Sequence, residues 1–274
     1  MTTLLVQLPD LHIREPGRLA YGRLDTAPYL SLAVDTILRQ AQRPDAVVVT
    51  GDLTDFGRAG EYAHLRSLLA PLTMPLYLMP GNHDDREQLR RSFPEHAYLG
   101  SNGFVQYSVA VGNLQLIALD TVVPAASHGS LCDQRLQWLS DTLDQHRDRP
   151  VLIAMHHPPF PTLIGHMDQI GLLQGAVELE KLVAMHPNVE RVVCGHLHRS
   201  IQVRFGGTLA MTVPSPAHQV CLDLDPNAPS AWALEPPGFA LHALSDTRQL
   251  SSHNVASGHF DGPHPFHAGG QLID

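Results

Sequence analysis

Seven residues with metal-ligand side chains are spread along this chain, and each follows a short apolar run. They fall in the blocks Asp10-Leu11-His12, Gly51-Asp52, Gly81-Asn82-His83-Asp84, His156-His157-Pro158-Pro159 and Gly195-His196-Leu197-His198. Carboxylate, amide oxygen and imidazole with no thiolate make a mixed set suited to Fe, Mn, Zn or Co rather than to Cu(I) or a structural zinc. Asp52 is placed to give one oxygen to each of two ions. With Asp52 shared, Asp10, His12, Asn82, His156, His196 and His198 complete a two-ion centre, leaving positions for a bridging hydroxide and substrate oxygens. Asp10 and His12 stand two apart on what reads as extended chain, so both point to one face; His196 and His198 repeat that spacing. Two divalent ions outweigh two carboxylates and a hydroxide, so such a centre stays cationic and suits a phosphate ester anion.

Loops leaving the ends of adjacent strands converge in space, and this is what gathers scattered ligands into one pocket. The apolar runs supply the strands. Residues 3–8 stop at Pro9-Asp10, the wholly apolar Ala46-Val47-Val48-Val49 stops just short of Gly51-Asp52, and 76–79 stop before Gly81-Asn82. Between them, 29–41 and 61–70 carry apolar residues at helical spacing. This β-α-β-α-β order predicts parallel strands with helical crossovers. Residues 104–110 and 114–119 around Gly112-Asn113 predict a hairpin. A helix through Leu136, Leu139 and Leu143 is expected to be capped by Ser130 with Asp133. Strands at 151–155 and 189–194 flank a helix at 177–184. Beyond Ile201, short apolar segments broken by Gly, Pro and Asn predict an antiparallel meander that completes a second sheet. The Ser-, His-, Gly- and Pro-rich tail from Ser251 is expected to be loosely held or to lie on a neighbouring subunit.

The 274 residues are read as one domain, with a motif-bearing core over 1–224 and C-terminal strands plus an irregular tail over 225–274. A net charge of −9 argues against a nucleic-acid polymer as partner. No apolar run approaches the roughly 20 residues of a membrane span, so no membrane is expected. The N-terminal apolar run is too short for a secretory signal and lacks a basic flank. Cys132, Cys194 and Cys221 are odd in number and far apart, which fits a reducing compartment and a cytoplasmic location. Histidine is in excess, with 18 residues. Outside the motifs, His64, His96, His146 and His186 have no partner motif and read as surface or packing residues. His157 reads as structural or supporting, and Cys194 as packing.

All five blocks occur in the order found in the calcineurin-like metallophosphoesterases, and the resemblance spans Asp10 to His198. Within that superfamily the chain is most similar to the bacterial glycerophosphodiesterase and class III cyclic-nucleotide phosphodiesterase group. The segments that carry this are Arg43-Pro44-Asp45-Ala46-Val47-Val48, Leu76 through Asp85, Met155-His156-His157-Pro158-Pro159, and Pro214 through Val220 with His218. The resemblance implies a four-layer αββα sandwich of two mixed β-sheets flanked by helices. It puts Asp10, His12, Asp52 and His198 on one metal, and Asp52, Asn82, His156 and His196 on the other. It places His83 on the leaving-group side of the phosphate, next to Asp84, which is expected to orient that imidazole. His218 and Tyr21 would line the substrate pocket. Pro9 stands where the family commonly has Ser, which removes a backbone donor from the Asp10 loop. The implied activity is hydrolysis of a small phosphodiester by a metal-bridging hydroxide, with Asp52, Asn82 and His83 at the reacting phosphate. A nuclease, a phosphomonoesterase and a non-catalytic scaffold are the alternatives. A homo-oligomer is expected, with the tail or the loop at 14–23 capping a neighbour's pocket.

Overall fold

A computed structural model describes residues 2–273. β1 (Thr3–Leu8), α1 (Ala27–Leu38), β2 (Ala46–Thr50), α2 (Ala59–Leu69) and β3 (Leu76–Met79) alternate in the expected order. β1 pairs in parallel with β2, and β2 with β3. Every residue of β1 and β2 is buried, which is why both strands are mainly apolar. Pro28 sits in the first turn of α1, where a missing N–H goes unused. α3 (Arg86–Ser92) follows, started by the Asp85 carboxylate, which accepts from the Gln88 N–H at 2.6 Å.

β4 (Tyr107–Val111) and β5 (Leu114–Leu119) form the expected hairpin. β6 (Gly129–Ser130) precedes α4 (Asp133–Gln145), and here the cap differs from expectation. Cys132 holds the N-cap position and makes no side-chain cap; Ser130 is drawn into β6, and its hydroxyl donates to Gln174 Oε1 at 2.9 Å. There follow β7 (Val151–Met155), α5 (Gly165–Asp168), β8 (Leu172–Gln174), α6 (Ala176–Met185), β9 (Val189–Cys194), β10 (Ile201–Phe205) and β11 (Thr208–Thr212). The chain continues through β12 (Gln219–Val220), β13 (Trp232–Ala233), β14 (Gly238–Leu244), β15 (Leu250–Ala256), β16 (His267–Ala268) and β17 (Gln271–Leu272).

Two mixed sheets result, in the orders β15-β14-β1-β2-β3 and β10-β11-β9-β7-β5-β4. They face one another with helices outside, which is the expected αββα layering. The C-terminal meander is corrected. Only β10 and β11 extend the second sheet, whereas β14 and β15 return to the first, where β14 pairs antiparallel with β1. The wholly buried β1 has one edge left open by β2, and β14 satisfies the backbone groups there. The start of the tail is more ordered than expected, because residues 251–256 belong to β15, which pairs with β14 along its whole length. Among the described residues no helix is long and apolar enough to cross a membrane.

A polar seam runs between the sheets. Gln7 of β1, fully buried, donates through Nε2 to Thr50 Oγ1 at 3.1 Å and to the Cys194 carbonyl at 3.0 Å. Its Oε1 lies 3.1 Å from His242 Nε2, and His242 Nδ1 lies 2.7 Å from Ser252 Oγ. Burial first, and then the charge of Arg191, push the His242 pKa from 6.5 down to about 3. Folding therefore excludes a proton that the unfolded chain accepts. The sign follows: this site costs nothing above pH 6.5 and weakens the fold as pH falls from there toward 3. At pH 4.5 the cost approaches about 3 kcal/mol. His242→Gln is expected to flatten the fall in thermal midpoint between pH 7.5 and about 4.5; parallel curves for the two proteins would refute this.

Candidate metal centre

The loops after β1 and β2 go on pairing beyond the strands. The Asp10 N–H donates to Gly51 O at 3.2 Å and the His12 N–H to Asp52 O at 2.9 Å, which keeps the first two ligand blocks side by side. Beside Pro9, the Asp10 carbonyl accepts from Ser215 Oγ at 3.0 Å. Across the sheets, the His196 N–H donates to Asp10 Oδ1 at 2.7 Å, and within the second sheet the Gly195 N–H donates to His156 O at 3.1 Å. All seven expected ligand residues therefore meet at one edge of the sandwich.

They do not converge by extended geometry. Asp10, His12, Asp52, His196 and His198 have φ of 53°, 46°, 48°, 71° and 52°, in the left-handed region that side-chain-bearing residues rarely occupy. Asp10-Leu11-His12 and His196-Leu197-His198 thus repeat one turn-like conformation, with the intervening leucine buried. Strain repeated at five ligand-type residues marks a place where the surroundings override local preference. Close approach also dictates glycine: a Cβ on Gly81 would lie 2.2 Å from Asp52 Oδ1 and 2.3 Å from Asp52 N.

Three of the inward-facing imidazoles are fixed from behind. His156 Nδ1–H donates to Thr50 O at 2.9 Å and His198 Nδ1–H to His218 O at 3.0 Å, while His12 Nδ1 lies 3.3 Å from Asp55 Oδ1. With Nδ1 committed as donor, the neutral ring presents a lone pair at Nε2. The Nε2 atoms of His12 and His198 are 3.3 Å apart, and His156 Nε2 lies 3.0 Å from Asn82 Oδ1. Lone pairs aimed at acceptors at such distances repel unless a cation lies between them. Asp10 Oδ2 and His196 Nε2 are buried with no partner. Asp52 Oδ2 sits between the two groups, 3.5 Å from His12 Nε2 and 3.3 Å from His156 Nε2. The donor set fits metal ions.

Electrostatics agree. Burial pushes the Asp10 carboxyl up to about 7, opposed by His156 and aided by Asp52. Burial acts the same way on Asp52, but His156 and His83 outweigh it and hold Asp52 well below the usual carboxylate range. Burial alone would lower His156, yet the Asp52 carboxylate raises it to about 9. His196 is depressed to about 3, and His198 well below its ordinary value; burial is the first cause for both. Burial also opposes protonation of His12, yet the Asp55 and Asp52 carboxylates raise its pKa. The candidate ligand imidazoles are thus split between His12 and His156, held toward the protonated form by the acidic groups, and His196 and His198, kept neutral, the form that ligates.

His83 donates its backbone N–H to Asp52 Oδ1 at 3.0 Å and its Nδ1–H to Asp55 O at 2.9 Å, and its ring lines the cavity. The expected contact with Asp84 is corrected here. The Asp84 carboxylate instead accepts from the N–H groups of Leu53, Thr54 and Gly81 and from the Tyr62 hydroxyl, stapling the Asp52 loop to the Asn82 loop. The residue that orients His83 is Asp55. It grips His12 as well, and Arg14 Nη1 holds its carboxylate at 2.9 Å. Asp55 lies three residues beyond Asp52 in the same loop, and that proximity was its signal in the sequence. His157 is buried beside His156 and His196; Thr121 Oγ1 lies 2.7 Å from its Nδ1 and Ser127 O 3.2 Å from its Nε2. Both nitrogens are occupied, as befits a supporting residue. His218 and Tyr21 line the same cavity of about 270 Å³, and Tyr21 OH lies 3.2 Å from His218 Nε2.

The sequence matches the family profile described as calcineurin-like phosphoesterase over residues 4–200. It is 35% identical to the "Probable glycerophosphodiester phosphodiesterase GpdQ" of Arcobacter nitrofigilis, covering 99% of this chain and 100% of that one. It is 33% identical to the 3',5'-cyclic adenosine monophosphate phosphodiesterase CpdA of Pseudomonas aeruginosa, covering 92% of this chain and 89% of that one. The fold is similar to a dimetal phosphatase from Danio rerio, with a TM-score of 0.63 at 18% identity, covering 93% of this chain and 99% of that one. On its sequence, its layered sheets and its gathered histidines and aspartates, this chain belongs to the calcineurin-like phosphoesterase family.

Proposed function

We propose that this protein is a binuclear-metal phosphodiesterase that hydrolyses small phosphodiesters, glycerophosphodiesters or 3',5'-cyclic nucleotides. The observation that carries this reading is the single Asp52 oxygen lying between two imidazole-bearing groups. Asp10, His12, Asp52 and His198 would hold one ion, and Asp52, Asn82, His156 and His196 the other. Fe, Mn, Zn or Co in this centre would supply positive charge to the phosphoryl oxygens and an acidified water as nucleophile. The protein's own contribution is orientation and proton handling. Backbone and carboxylate acceptors at Nδ1 aim the ligand imidazoles. His83, fixed through Nδ1 to Asp55 O, keeps Nε2 for the departing ester oxygen. In the net step one water is consumed: its oxygen bonds to phosphorus, one P–O ester bond breaks, and a proton passes to the leaving oxygen. The cavity is small and the chain acidic, which favours a small diester over a polynucleotide.

The test is removal and return of metal. Chelated protein is expected to lose diester hydrolysis by at least about 10³-fold and to regain it on adding Mn²⁺, Zn²⁺ or Fe²⁺. Turnover that persists in chelator, or metal-loaded protein that cleaves only monoesters, would overturn the reading.

A further inference from the structure

Beyond the ligand residues, one wall of the cavity is built from three rings. Tyr21 and Trp232 have centroids 5.7 Å apart with planes 35° apart, and His218 stands edge-on to both, at 5.1 Å and 5.6 Å. The fold goes out of its way to place them. Tyr21 is 45% exposed and has φ 52°, at the tip of a tight turn closed by Ala20 N–H to Leu24 O at 2.8 Å. A bulky residue in that conformation is strained, so the turn spends stability to present the ring. Trp232 lies on β13, whose only partner among the described residues is β12, the strand that directly follows His218; the pair stands outside both main sheets. Among the described residues lining this cavity there is no Lys or Arg, so a second anionic group on the substrate would find no lysine or arginine to pair with. His166 lines it too, and neither of its ring nitrogens has a hydrogen-bond partner in the protein.

We propose that Trp232 is the specificity-determining residue of this site. Its ring, with Tyr21, stacks a planar heteroaromatic substituent of the diester, the nucleobase of a cyclic nucleotide, whose polar edge takes up the unspent hydrogen-bonding capacity of His166. This deepens the phosphodiesterase reading and rests on it for the position of the phosphate. Stacking suits a wall of rings without charge, because every base has a π-face. A glycerol substituent has no face to stack, so the same wall gains little from it.

The test compares the metal-loaded wild type with Trp232→Leu and Trp232→Phe on 3',5'-cyclic AMP and glycerophosphoethanolamine. The kcat/KM ratio of the nucleotide to the glycerol diester is expected to fall about tenfold or more in Trp232→Leu, mainly through KM. Trp232→Phe, which keeps a ring, should recover most of that ratio. Equal losses on both substrates would reduce Trp232 to a structural role, and an unchanged ratio would overturn the proposal. So would a loss confined to glycerophosphoethanolamine, which would make the wall an ammonium box. A second readout is independent of turnover. In a Trp138→Phe background, AMP is expected to quench the emission of Trp232. Quenching without diester hydrolysis would sink the phosphodiesterase reading and leave the stacking intact; hydrolysis of both diesters without quenching would do the reverse.

Discussion

Asp52→Ala is expected to lower diester hydrolysis by at least about 10³-fold, or about 4 kcal/mol in transition-state stabilisation, and to reduce bound metal from two equivalents to one or fewer. The size of the effect follows from how many groups converge on one carboxylate. Oδ2 faces both His12 Nε2 and His156 Nε2, while Oδ1 accepts the His83 N–H. Alanine would leave each of those two imidazoles without the negative charge that favours a cation beside it. It also frees the backbone of His83. Asp52→Asn sharpens the test, because an amide oxygen can still accept from His83 while the charge is gone. If metal content and turnover both survived in either variant, Asp52 would not be the bridge, and the two groups would have to be explained as separate sites.

His83→Ala is expected to reduce kcat by about 10²- to 10⁴-fold while leaving metal content unchanged. The separation of the two effects is the point. The His83 side chain lines the cavity and is tied through Nδ1 to the carbonyl of Asp55, outside the inward-facing ligand set. A proton donor matters most when the leaving oxygen is basic. Alkyl diesters should therefore lose much more than aryl diesters, whose leaving groups depart without help. Equal losses across leaving groups would mean that His83 only binds the phosphate. Loss of metal would mean that it acts through the Asp52 loop.

The motif blocks were legible because each follows closely on a strand, and strands buried on both faces announce themselves as apolar runs, as in residues 46–49. The parallel arrangement of β1, β2 and β3 followed from the helical spacing between them. Other features left no such trace. Ser130 reads as a helix cap only until β6 claims it. The C-terminal strands read as a meander because alternation predicts a strand but not the edge it joins, and the open side of β1 was nearer in space than in sequence. Asp84 beside His83 looked like its partner, yet neighbouring side chains on a turn point apart, and the backbone of the Asp52 loop took the carboxylate instead.

What the sequence determined by itself was chemical type: which residues could ligate a cation, the order in which they arrive, and that a strand delivers each one. Only the tertiary structure decided the rest. It turned five ligand-type residues into left-handed backbone, chose Asp55 to orient both His12 and His83, and brought Trp232 to the rim of the cavity on a strand pair of its own. The physical reason is common to all three. Residue type and periodicity are local properties, whereas left-handed backbone, a shared carboxylate and an aromatic wall are made by contacts between segments up to about two hundred residues apart, such as Tyr21 with His218 and Trp232.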